Sequence, residues 1–111
     1  MDFPGFIQRF PGLETPFAKE DVTIRALGSD DGMVAFFHFH RDVLLPPHSH
    51  LGQWGTVIEG EIELTIGDQT RVYRVGQSYD IPAGVEHSAR IKAGAKVIDV
   101  FEEGDRYPLT R

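Results

Sequence analysis

The sequence predicts an all-β domain, a sandwich or barrel of short strands. Three observations carry this. Turn residues punctuate the chain at short intervals: Gly28, Gly60, Gly67, Gly76, Gly84 and Gly94 each follow or sit in a polar or Pro-containing cluster. The stretches between them alternate apolar and polar side chains, or are dense in β-branched and aromatic residues. No stretch carries a sustained helical period of about 3.6 residues, apart from a short C-terminal turn.

Taken in order, residues 1–20 are rich in Phe, Pro and Gly, and Pro4, Pro11 and Pro16 forbid a long helix. Phe3, Phe6, Ile7, Phe10, Leu13 and Phe17 are too apolar for a free tail. They read as an arm that packs on a body, its own or a partner's. Residues 22–27 form a strand and 28–32 its turn. Residues 33–40, MVAFFHFH, form a strand too aromatic to be exposed on one side. In residues 53–59, Gln53, Gly55 and Val57 share one face, with Trp54, Thr56 and Ile58 on the other. Gly60, between Glu59 and Glu61, is a hairpin turn into residues 61–66, which place Ile62, Leu64 and Ile66 on one face. Further strands follow at 70–75, 79–82, 85–92 and 95–102. With 111 residues the chain is one domain, a barrel over 21–103 preceded by the arm.

Composition removes several classes of function. Apolar residues make up 41% of the chain and net charge is −6, so the chain is globular and lacks the basic stripe that nucleic acid requires. There are no cysteines, which excludes disulfides, thiolate metal sites and a Cys nucleophile. Neither a signal peptide nor an apolar run of about 20 residues is present, so a cytoplasmic location with no membrane partner is expected.

The chemistry concentrates in two stretches. In HSHLGQWGTVIEGE, residues 48–61, His48 and His50 stand two apart, so in an extended strand both imidazoles leave one face. In GQSYDIPAGVEH, residues 76–87, glycines and Pro82 shape a turn that brings His87 to a strand start. Three imidazoles could chelate a metal; singly, each could equally be a polar residue at a strand end. A second pair, His38 and His40, has no nearby third ligand and reads as structural.

Together these stretches resemble the two motifs of the cupin superfamily, over about residues 20–103. The resemblance implies a double-stranded β-helix, or jelly-roll barrel, with one metal inside it. The second motif matches throughout its framework from Gly76 to His87. The first matches at His48, His50 and Gly60 but has Asp42 where a glycine is expected, and it lacks the glutamate ligand. Seven residues before Gly60, where cupins carry that glutamate, stands Gln53, a fourth ligand by this resemblance or else a residue that only hydrogen-bonds nearby. Such a neutral set leaves a divalent ion near about +2, a strong Lewis acid that attracts anions. Zn, Ni, Fe, Co and Mn all suit imidazole and amide.

Asp99, between apolar neighbours of the last strand, is costly unless paired, metal-linked or protonated. It is either an acid/base in the cavity or a salt-bridge partner of Arg71, Arg74 or Arg90. The ending VIDVFEEGDRYPL is similar to that of small pectin-degradation cupins that convert 4,5-unsaturated uronates to linear keto forms. That similarity implies metal on His48, His50, Gln53 and His87, with Asp99, Phe101 and Arg106 at the reaction. The interval from His50 to Gln53 is shorter than in those proteins, and Arg106 lies one residue late. The expectation is a redox-neutral, isomerase-like enzyme acting on a small acidic substrate, and a homodimer in which the arm packs on the partner. The alternatives are an Fe(II)-dependent dioxygenase and a non-catalytic binding or sensor module.

Overall fold

A computed structural model describes residues 2–110. Its strands are β1 (Gly12–Leu13), β2 (Val22–Ser29), β3 (Gly32–Phe39), β4 (Val43–His48), β5 (Gln53–Glu59), β6 (Glu61–Ile66), β7 (Gln69–Arg74), β8 (Ser78–Ile81), β9 (His87–Ile91), β10 (Lys96–Phe101) and β11 (Leu109–Thr110). One four-residue helix, α1 (Gly5–Gln8), precedes them. Two antiparallel sheets face each other, one ordered β2-β3-β10-β5-β8 and the other β4-β9-β6-β7. This is the all-β jelly-roll expected from the sequence.

Alternation sets the core. Val22, Ile24 and Ala26 of β2, Ala35, Phe37 and Phe39 of β3, and Val97 and Phe101 of β10 are buried from one sheet. Ile62, Leu64, Ala89 and Ile91 close on them from the other. The opposite faces carry the polar neighbours. Arg74 and Arg90 sit there at 3.9 Å from Glu61 and Glu63, and the Arg71 guanidinium lies 4.9 Å from the Tyr73 ring centre. None of the three reaches Asp99, whose recorded partners are Tyr79 and Gln53. The salt-bridge alternative for Asp99 is therefore overturned, because these arginines belong to outward positions of the four-stranded sheet.

Residues 43–48 form a strand despite Pro46 and Pro47, and β4 is an edge of its sheet, where a missing N–H is tolerated. His50 lies beyond the end of that strand, in a loop. Among the described residues, the C-terminal segment forms no helical turn. Its β11 pairs with β1, with Gly12 opposite Thr110 and Leu13 opposite Leu109, and joins the two terminal segments. The arm lies on the chain's own barrel, where Phe3 and Phe10 contact Phe36 at 5.5 and 6.1 Å between ring centres. Among the described residues no helix is long and apolar enough to cross a membrane.

Candidate metal centre

The centre is assembled from the ends of β4 and β9 and the loop between β4 and β5. His48 and His87 are direct cross-strand partners, and their ring centres are 4.2 Å apart. His50 joins them from the loop, 5.4 Å from His48 and 4.8 Å from His87. A ligating atom from each of the three lies within 4.8 Å of the others, so the group can hold a metal ion. The loop is held from two sides. The Gly84 N–H donates to the His50 carbonyl at 2.8 Å, from a turn whose φ of +79° favours glycine. The Glu103 and Glu102 carboxylates accept the N–H groups of Leu51 and Gly52 at 2.9 and 2.8 Å.

Each imidazole is oriented by the backbone. The Nδ1 atoms of His48, His50 and His87 sit 2.8, 2.7 and 3.0 Å from the carbonyl oxygens of Pro46, Leu51 and Val85. A carbonyl only accepts, so in the neutral ring Nδ1 carries the proton and the lone pair is on Nε2. The Nε2 atoms of His50 and His87 are buried with no hydrogen-bond partner. Leaving such atoms unmet costs free energy, and ligation to a metal would satisfy them. Burial, with the Arg106 charge adding to it, holds both rings below the ordinary histidine range, so they stay neutral and able to ligate. This donor chemistry fits a divalent metal.

Gln53, Asp99 and Phe101 line the same cavity as the three histidines. Phe101 stands 5.9 Å from the His50 ring centre. Asp99 is buried, and its carboxyl is pushed up to about 6 by desolvation, against the hydrogen bonds from Tyr79 and Gln53 that favour the charged form. The Tyr79 hydroxyl donates to Asp99 Oδ1 at 2.5 Å. Burial and the nearby carboxylate raise Tyr79 far above the usual phenol, so it remains a donor. The five-stranded sheet explains this contact. Ala35, Asp99, Gly55 and Tyr79 are successive cross-strand partners, and a Cβ on Gly55 would overlap both the Asp99 carboxylate and the Tyr79 ring. Tyr79 thus crosses a side-chain-free position to reach Asp99.

Arg106 is not among the residues lining the cavity, whereas its neighbour Tyr107 is. The Arg106 guanidinium stacks 4.3 Å from the Tyr107 ring centre, and its Nε is buried without a partner. Phe17 of the arm lines the cavity as well. Tyr79, Glu102 and Glu103 were not anticipated as site residues. For Tyr79 a signal existed, since it shares a period-2 face with Ile81, both buried beside exposed Ser78 and Asp80. His38 and His40 lie on the outer side, in a shallow cleft beneath the arm, with His40 Nε2 at 2.6 Å from the Thr23 hydroxyl.

The model of the family described as the cupin domain matches residues 37–101. No curated protein matches the sequence. Among solved structures, KdgF from Halomonas sp. is 24% identical with a TM-score of 0.69, over 77% of this chain and 82% of that one. An RmlC-like cupin from Shewanella frigidimarina is 23% identical with a TM-score of 0.73, over 86% of each chain. Oxalate decarboxylase from Bacillus subtilis, described with Mn(II) centres, is 20% identical with a TM-score of 0.69, over 79% of this chain and 27% of that one.

Proposed function

The chain belongs to the cupin family, and from that premise we propose that it is a metal-dependent, redox-neutral enzyme that ketonises or isomerises a small sugar acid such as a 4,5-unsaturated uronate. The observation that carries the reading is one cavity holding three backbone-oriented imidazoles, an amide and a buried carboxylate with a pKa of about 6. The similarity to KdgF supports it at the level of fold.

In this reading His48, His50, His87 and Gln53 hold one divalent ion, with Zn, Ni, Fe, Mn and Co all compatible. When bound, the ion supplies Lewis-acid polarisation of substrate oxygens. Asp99 is the acid/base. Opening of an unsaturated uronate ring gives an enol; in ketonisation protonated Asp99 gives its proton to carbon, the enol hydroxyl releases its own proton to water, and solvent then reprotonates Asp99. A carboxyl with a pKa of about 6 exchanges that proton near neutrality. Phe101 walls the cavity and excludes water from the transfer. Arg106 pairs with the substrate carboxylate once the C-terminal segment around Tyr107 rearranges. The all-neutral ligand set favours binding an acid over stabilising a trivalent metal, which sets this reading above oxygen chemistry.

A homodimer belongs to the same proposal. Leu27, Val34, Val100 and Trp54 are successive cross-strand partners on the outer face, and Leu27, Trp54 and Val100 are exposed. Light scattering that reports a 12.4 kDa particle at micromolar concentration would remove it.

The test is direct. Metal-loaded protein is mixed with freshly generated 4,5-unsaturated uronate, and the conjugated-acid absorbance is followed against the spontaneous decay. Acceleration supports the reading; a rate equal to the spontaneous one rejects it.

A further inference from the structure

The cavity encloses about 50 Å³, room for a few waters, whereas sites for small molecules ordinarily enclose about 300–1,000 Å³. Part of its wall has to move before a sugar-acid ring can enter. Most of that wall is fixed: Phe37, Ile62, Leu64 and Val97 are buried on strands paired within the two sheets. Among the described residues, the lining side chains outside those strands are Phe17, His50 and Tyr107, and the His50 loop is bonded from two sides. Tyr107 stands on a segment with a root and a latch. At the root, Gly104 is wedged against the β2–β3 hairpin, where a Cβ would run into the Ser29 carbonyl. At the far end β11 pairs with β1, and the Glu14 N–H donates to the Pro108 carbonyl at 2.8 Å. β1 itself is tied to the barrel, since the Ala26 N–H of β2 donates to the Pro11 carbonyl at 2.8 Å. A two-stranded piece this short is marginal on its own, so it can part while the sheets stay intact.

We propose that residues 105–110 are a lid over the cavity, hinged at Gly104 and latched by β11 on β1, which swings out with Tyr107 to admit an anion the size of a sugar acid. Phe17 is the fixed side of the mouth. Tyr107 is the moving side, set edge-on to Phe101 with 6.2 Å between ring centres. Arg106 gives the lid its preference for an acid. In the closed form its Nε is buried without a partner, which is unfavourable. A carboxylate beneath the lid supplies the missing acceptor, so closure is tighter over an acid than over an empty cavity. The need for a wide mouth rests on the sugar-acid reading above; the hinge and the latch do not.

The chain has no cysteine, so an introduced thiol reports access to the cavity without any need for metal or substrate. Ala89 of β9 is buried and lines the cavity, and Ala89→Cys places the reporter there. A lock is available at the latch. A Cβ at Gly12 falls 2.7 Å from the Thr110 hydroxyl oxygen, so Gly12→Cys with Thr110→Cys can be oxidised to a disulfide. N-ethylmaleimide is a ring-sized alkylator that leaves disulfides intact. Its reaction at position 89 is followed by mass spectrometry with and without the lock. The expected result is slow alkylation of the unlocked protein and a rate at least about tenfold lower once locked. Below the unfolding transition the unlocked rate should hardly depend on urea, because a local opening exposes little surface. Equal rates with and without the lock would overturn the inference. So would no reaction in the unlocked native protein, or a rate that tracks global unfolding.

Should circular dichroism show the locked protein unfolded, Tyr107→Ala in the Ala89→Cys background decides instead. Loss of the ring leaves the mouth open and should raise the alkylation rate at least about tenfold, and an unchanged rate would overturn the inference. The uronate assay then separates this inference from the enzyme reading. Gly12→Cys with Thr110→Cys, Ala89 kept, should lose its acceleration on oxidation and regain it on reduction. Full acceleration in the oxidised form counts against the lid and spares the enzyme reading. No acceleration in either form, with alkylation still gated by the lock, rejects the enzyme reading and leaves the lid standing.

Discussion

Two histidine pairs with the same spacing meet opposite fates. His38 and His40 leave the outer side of the five-stranded sheet at the end of β3, with ring centres 4.2 Å apart. His48 and His50, at the end of β4 and just beyond it, turn inward. The outer pair gives one ring nitrogen to Thr23 and has the arm above it. The inner pair has both Nδ1 atoms tied to carbonyls and meets His87 from a neighbouring strand. Proximity of two imidazoles therefore does not distinguish a chelating pair from a structural one. A third ring, and a carbonyl that fixes the tautomer of each, make the difference.

The sharpest way to break this comparison is to delete each pair. His48→Ala or His87→Ala should abolish bound metal at micromolar concentrations, because too few ligands remain. His38→Ala with His40→Ala should leave metal content unchanged. Elemental analysis of purified protein decides, and equal losses from both pairs would erase the distinction.

Next in size is the buried carboxylate that lines the cavity of the inner pair. Asp99→Asn should slow uronate ketonisation by about 10²-fold while metal stays bound, if Asp99 moves the proton. A wild-type rate in this variant would mean that Asp99 does not move the proton.

The pH dependence of folding gives a third measurement, on metal-free protein. The folded pKa of Asp99, about 6, lies above the ordinary 3.8, so the folded state binds the proton more tightly. That contribution is complete below the unfolded pKa and is lost as pH rises through the folded one. Relative to Asp99→Asn, wild type should lose about 2 kcal/mol of unfolding free energy between pH 4 and pH 7. Urea denaturation of both proteins at these pH values reads the difference; a constant gap would show that Asp99 does not titrate in this window.

The smallest effect belongs to the outer pair. Thr23→Val removes the hydroxyl that bonds His40 and should cost under about 1 kcal/mol, since the bond is exposed. Thermal unfolding checks this, and a larger loss would mean that the outer histidines anchor the arm.

Much of this was legible before folding. Period-2 alternation and the glycine turns specify the strands, because a half-buried strand repeats every second residue. The His-x-His spacing and the Gly76–His87 framework bring three imidazoles forward by resemblance. Asp99 stands out as a carboxylate among apolar neighbours. The partners of Asp99 were not legible. Tyr79 is 20 residues away, and it reaches Asp99 only because β5 lies between β8 and β10 with Gly55 at the crossing. Glu102 and Glu103 hold the Leu51 and Gly52 amides across half the chain in the same way.

By itself, then, the sequence determined the strands, the three imidazoles that meet in one cavity and the absence of thiol chemistry. Each of these depends on residue type and local spacing. Which His-x-His pair faces the interior and which hydroxyl reaches Asp99 were decided by tertiary structure. These properties belong to cross-strand neighbours, and strand order and register, which no local pattern encodes, choose the neighbours.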